Sequence, residues 1–169
     1  MTKRSLTSLA GLDGVKERVT NYEGYGDAST RGQADKMIRR YLSGKITQLL
    51  TQLNSEHLAA DEKDQNRLDS LLNSTKRKLA TIHKSLNSPT YIDKQFFSLA
   101  ALAEQRLARL YDLERGMLEE VANLDLELSD LNQKTRTLFE QHFLHIDASV
   151  DNINQALFER EALILGDVY

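Results

Sequence analysis

Apolar residues recur along most of this chain at alternating steps of three and four, the period that gathers them on one stripe of an α-helix. Ile38, Leu42, Ile46, Leu49 and Leu53 form the first such seam. It predicts a helix from about Ser29 or Thr30, either of which suits the N-cap, to Asn54. Gly44 lies inside that helix, away from the seam, at some cost in stability. A second helix is predicted over Ala59 to Leu86, with a seam through Gln65, Leu68, Leu72, Thr75, Leu79, Ile82 and Leu86, five of whose seven positions are apolar. Asn87, Ser88 and Pro89 end it, and Ser88 with Pro89 suits the cap and first turn of whatever helix follows.

From about Thr90 to Gly166 the chain contains no proline and only Gly116 inside, so a third helical segment is predicted there. Its seam runs Ala103, Leu107, Leu110, Glu114, Met117, Val121, Leu124, Leu128, Leu131, Thr135, Leu138, with nine of eleven positions apolar. A second seam, Phe139, Phe143, Ile146, Val150, Ile153, Leu157, keeps the alternation but is offset by one residue. Joining the two requires three consecutive steps of four, a stutter that unwinds a supercoil locally. The alternative is a break near Asp130, Leu131 and Asn132, and the pattern leaves one long helix or two open.

Residues 1–27 differ. Leu6, Leu9, Leu12, Val15 and Val19 keep a helical spacing, but Gly11 and Gly14 interrupt it and a stretch rich in Gly, Asn and Asp follows. The expectation is a weakly ordered N-terminal arm, dispensable for folding, ahead of one helical domain over residues 28–169. The fold class expected is all-α: an elongated antiparallel, coiled-coil-like bundle of three to four long helices.

Composition agrees with helices. There is no Trp, aromatic residues make up 7%, and Leu and Ala must supply most of the core. Cys is absent, which excludes disulfides, thiolate metal sites and Cys nucleophiles, and suits a reducing compartment. No stretch approaches the length of a membrane span, nothing reads as a signal peptide, and the N-terminal amphipathic stretch lacks Trp or Phe to anchor it to a lipid surface, so a cytoplasmic location is expected. The net charge of −3 is unevenly spread: residues 1–45 carry +4, residues 46–89 carry +1, and residues 90–169 carry −8. A basic front and an acidic back can pair within a folded-back chain, pair between subunits, or meet a charged partner.

Candidate chemistry is sparse. His142 and His145 are three apart on one helical turn, with Glu140, Asp147 and Asp151 nearby, but the Glu-x-x-His pattern of carboxylate-bridged metal bundles is missing. His83 lacks the small-residue surroundings of a phosphotransfer site. Glu119, Glu120, Asp125, Glu127 and Asp130 read as a solvated helical face, because acid–base catalysis needs an enclosing pocket that nothing here predicts. No strand and no glycine-rich phosphate loop is found. Lys36, Arg39, Arg40 and Lys45 form one basic cluster, and Lys76, Arg77, Lys78 and Lys84 another. Nucleic-acid binding would need them on a contiguous stripe, and a pI near 5.8 argues against a broad positive surface.

The sequence therefore points away from an enzyme and assigns no catalytic, cofactor or metal residues. It points to a helical interaction protein, an adaptor, scaffold, chaperone or assembly factor, that binds itself or a partner helix through a long apolar seam, with two alternatives open: a nucleic-acid-associated helical protein using the basic clusters of the first two helices, or a bundle holding a metal or small ligand near His142 and His145. The third segment's seam exceeds what the first two helices can cover, so Phe139, Phe143, Ile146, Val150, Ile153 and Leu157 are the expected partner-binding residues and a homo-oligomer the expected state.

Overall fold

The computed structural model describes residues 6–55, 62–91, 94–131 and 136–166, the side chains of 6–9, 62–64 and 136–139 excepted. Five α-helices account for most of them: α1 (Leu6–Lys16), α2 (Arg31–Ser55), α3 (Glu62–Asn87), α4 (Glu104–Leu131) and α5 (Arg136–Leu165). No strand occurs among the described residues. All-α architecture follows directly from the seams: Ile38, Leu42, Ile46, Leu49 and Leu53 on α2, Leu72, Leu79, Ile82 and Leu86 on α3, and Leu110, Met117, Val121, Leu124 and Leu128 on α4 are buried in one cluster.

Two antiparallel hairpins make the bundle. In α2–α3, Asn87 Nδ2 donates to Ser43 Oγ at 2.8 Å and Arg39 Nη1 to the Leu86 carbonyl at 3.0 Å, so the end of α3 returns to the first half of α2. In α4–α5, Arg109 meets Glu159 near one end and Glu127 meets His145 near the other. The hairpins stack with like directions side by side. Gln52 of α2 donates to Asp125 of α4, while Thr75 and Lys78 of α3 reach Asp147 of α5, Lys78 also taking Asp151. The chain between α3 and α4 must therefore cross the end of the bundle rather than turn tightly.

That crossing explains the first departure from the sequence reading. A helix is predicted from about Thr90, yet α4 begins at Glu104, and residues 94–103 hold only a 3-10 turn at Gln95–Phe97. The carbonyls a helix would use are taken by another element: Arg31 Nη1 donates to the oxygens of Phe96 and Leu99 at 3.2 and 2.5 Å. Tyr91 and Phe96 are buried in the bundle end as plugs. Tertiary contacts thus override a locally helix-friendly sequence.

The one-helix-or-two question resolves into two, with α4 ending at Leu131 and α5 starting at Arg136. The stutter position Thr135 lies outside the described residues. Because α5 folds back along α4, the two seams cover each other.

The N-terminal segment is the second departure. Far from a loose arm, α1 lies along α4, and Val15, Val19, Tyr22 and Tyr25 are buried in the core. Gly11 and Gly14 are part of the reason. A Cβ on Gly11 would stand 2.9 Å from Tyr111 Cβ and 3.1 Å from the Tyr111 backbone carbon, so the missing side chain is what lets the two helices touch. After α1 the chain descends beside α4, turns through Gly24 with φ of 84°, and enters α2 at Arg31 with Thr30 in the N-cap position. The Thr30 hydroxyl turns back to the Asp27 and Gly24 carbonyls.

Candidate functional site

The most unusual chemistry lies at the crossed end of the bundle, where charged groups are buried. Arg160 of α5, 1% exposed, donates from Nε to Glu114 Oε1 at 2.8 Å and from Nη1 to the Tyr91 hydroxyl at 2.8 Å. Its Nη2 serves Asp35 Oδ1 at 2.7 Å and the Tyr25 hydroxyl at 2.8 Å. The acceptors are shared onward. Tyr25 and Tyr22 each donate to Glu114, to Oε1 and Oε2, at 2.5 Å. Tyr91 donates to Asp35 Oδ1 at 3.0 Å and Arg39 Nε to Asp35 Oδ2 at 2.8 Å. A fourth aromatic hydroxyl, on Tyr111, takes the Tyr25 amide at 2.7 Å.

This arrangement sets the titration of its members. Burial pushes the Tyr22 and Tyr25 phenols far above their ordinary range, with the Glu114 carboxylate adding to it and Arg160 easing it at Tyr25. Tyr91 is pushed up to about 12 for the same first reason, burial. Burial works against the charge of Arg160, but the surrounding oxygens, first those of Tyr25 and Tyr91, outweigh it and raise its pKa. Neutral phenols, a fixed guanidinium and two carboxylates with occupied oxygens form a saturated network. Asp35, Glu114 and Arg160 are at most 2% exposed. What the cluster does is join five segments, the 17–30 loop, α2, the crossover, α4 and α5, at one point.

The phase of the helices marks these positions in the sequence. Glu114 is the one non-apolar residue of the seam within α4, and Arg160 continues the α5 seam in the order Ile153, Leu157, Arg160, Ile164. Thr75, polar in the α3 seam, is likewise buried, bonded to Asp147 and to the Leu71 carbonyl. A polar residue in seam phase is the signal. Tyr22 and Tyr25 carry none, because they sit in a loop without period.

The residues expected to bind a partner are inside the bundle. Phe143, Ile146, Val150, Ile153 and Leu157 are all buried against helices of the same chain. The side chain of Phe139 lies outside the described residues. Their surplus of apolar surface is taken up by the return of α5 along α4, so as partner contacts they would need the bundle to open.

The remaining candidates are dispersed. His145 is exposed and 3.5 Å from Glu127, His142 is half-buried, and no group of three metal-ligating side chains forms among the described residues. His83 faces Asn87 one turn on. Glu119 and Glu120 rim an open groove between α4 and α5 floored by Met117 and Ile153. Asp125 accepts from Gln52. Of the basic clusters, Arg39 and Lys78 are engaged with Asp35, Asp147 and Asp151, whereas Lys76 and Arg77 line a groove between α2 and α3 with Leu50, Asn54, Asn73 and Ala80. No helix among the described residues is long and apolar enough to cross a membrane. Comparison with known proteins finds no matching family model, curated protein or solved structure.

Proposed function

We propose that the chain is a non-enzymatic helical interaction protein, an adaptor, scaffold, chaperone or assembly factor, and that its protein partner docks on the outer side of the α4–α5 hairpin. One observation carries this reading. The large apolar side chains left exposed among the described residues, Leu126 (67%), Leu144 (48%), Phe158 (68%) and Leu165 (37%), all belong to α4 and α5. Exposed leucines scattered over a surface need no explanation, but their confinement to one hairpin favours a contact surface. The same hairpin, residues 104–165, carries six Lys/Arg against thirteen Asp/Glu. Apolar anchors within an acidic surround suit a basic amphipathic helix. Self-association through the same surface is the alternative occupant.

A photo-crosslinking residue placed at position 158, with a control at position 47 on α2, tests this in the protein's own cell. Protein adducts at 158 and not at 47 are the expected result. Sedimentation of the purified chain identifies a second copy as the occupant if its mass rises with concentration and Phe158→Glu abolishes the rise at unchanged helicity. A strictly monomeric chain with no adducts specific to position 158 would overturn the reading.

A further inference from the structure

The opposite hairpin carries a different surface. Between Lys36 and Ser55 on α2, and between Ser70 and Tyr91 on and beyond α3, the sequence has no Asp or Glu. Of the eight cations in these stretches, Arg39 and Lys78 are satisfied internally. Lys36, Arg40, Lys76, Arg77 and Lys84 form no ion pair among the described residues, and neither does Lys45, which is in phase with Gln52 on the α4 flank of α2; Arg77 donates only to the Asn73 carbonyl of its own helix.

Helical phase places four of these five on two neighbouring stripes, and Lys76 joins them at the groove. On α2, Lys36, Arg40, Ser43, Thr47, Leu50 and Asn54 follow steps of 4, 3, 4, 3 and 4, one stripe. On α3, Asn73, Arg77, Ala80, Lys84 and Asn87 follow steps of 4, 3, 4 and 3. The stripes are tied at two levels: the Asn87–Ser43 hydrogen bond at one end, and the groove shared by Leu50, Asn54, Asn73, Lys76, Arg77 and Ala80 at the other. The result is one inter-helix groove, about 21 Å long from Asn73 to Asn87 at roughly 1.5 Å per residue, bordered by Lys76, Arg77 and Lys84, with Arg40 and Lys36 continuing the α2 stripe past its Ser43 end. The pI of 5.8 conceals it because the compensating acids lie on the other hairpin.

We propose that this face binds the phosphodiester backbone of a duplex nucleic acid without reading its sequence. Ammonium, guanidinium, amide and hydroxyl groups are what the face offers, and these are the groups that hold phosphate oxygens. Leu50 is the only large apolar residue on it and is half-buried, whereas a protein interface would call for aromatic or aliphatic anchors. Neither stripe has an aromatic residue on which unpaired bases could stack, which disfavours single strands. The acidic α4–α5 hairpin behind repels a polyanion and so fixes which side approaches it. This face is independent of the protein-docking surface above.

The test is fluorescence anisotropy of a labelled duplex of about 20 base pairs, titrated with the full chain at several salt concentrations. The logarithm of affinity is expected to fall with the logarithm of salt with a slope near −4, as for about four or five neutralised phosphates. The variant Lys76→Ala/Arg77→Ala/Lys84→Ala, with its melting curve unchanged, should bind at least ten-fold more weakly at 50 mM salt and with a slope shallower by about 2 to 3. Arg109→Ala on α4, toward α5, should alter neither. Failure of the native chain to bind at 50 mM salt, or indifference to the triple variant, would overturn the proposal. So would displacement of the duplex by polyglutamate of equal charge as readily as by unlabelled duplex, which would assign the face to an acidic protein segment. Stronger displacement by a single strand of equal phosphate count would count against it equally.

Discussion

Arg160 shows most clearly how one side chain can hold a fold together. Replacing it by Leu leaves Asp35 and Glu114 buried without their shared counter-charge, and we expect a loss of about 3–5 kcal/mol in urea unfolding. Arg160→Lys should recover little of this, since an ammonium cannot span four acceptors arranged around a planar fork. A variant unfolding within 1 kcal/mol of the native chain would show that the network contributes little. The tyrosines give a second handle, at high pH. Their folded-state pKa values are raised above the unfolded value near 10, so unfolded chains lose phenolic protons that folded chains keep. Stability is therefore full below pH 10 and lost as pH rises toward 12, by up to about 1.4 kcal/mol per pH unit for each tyrosine. Absorbance of phenolate near 295 nm should rise for Tyr22, Tyr25, Tyr91 and Tyr111 only together with loss of helicity; early ionisation of all six tyrosines in a still-folded chain would contradict the burial. In the sequence, Glu114 and Arg160 could be read as exceptions in seam phase, but the hydroxyls that complete their shell could not, because loop residues have no period to betray their burial.

At the scale of elements, two glycines that look alike in sequence separate. Both Gly11 and Gly44 sit inside helices, where Gly costs about 0.5–1 kcal/mol relative to Ala. A Cβ at Gly44 meets nothing within 4 Å, so Gly44→Ala should raise stability by about that amount. At Gly11 the added methyl presses on Tyr111 Cβ and backbone, neither of which can swing away, and Gly11→Ala should cost about 1–3 kcal/mol despite its better helix propensity. Thermal melting of the two variants decides it; shifts of the same sign would mean that α1 does not bear on α4. The seams of α2, α3 and α4 were legible because burial imposes the helical period on the residue order. Gly11 and Gly14 were misread as interruptions because the period reports which face is buried, not how closely another helix comes. The start of α4 was misplaced for a related reason: the crossover obeys Arg31 and the bundle end, neither of which is local to residues 90–103.

For the whole molecule, the two departures point the same way. Removing residues 1–27 takes Val15, Val19, Tyr22 and Tyr25 out of the core, each contributing about 1.5–3 kcal/mol as a buried large side chain. The melting temperature should fall by more than about 10 °C; an unchanged value would restore the dispensable arm. Ile153→Asp should unfold the chain rather than merely dissociate a complex, because Ile153 is internal, and circular dichroism with size-exclusion chromatography distinguishes the two. The hydrogen bond between Tyr25 and Arg160 joins residues 135 apart, which bears on synthesis as well as stability. The ribosome makes Tyr25 first and its guanidinium partner 135 residues later. Until residue 160 has left the exit tunnel, Asp35 and Glu114 lack their shared counter-charge and the crossed end of the bundle cannot close. A product terminated before residue 160 should therefore fail to reach the native state and go to proteolysis.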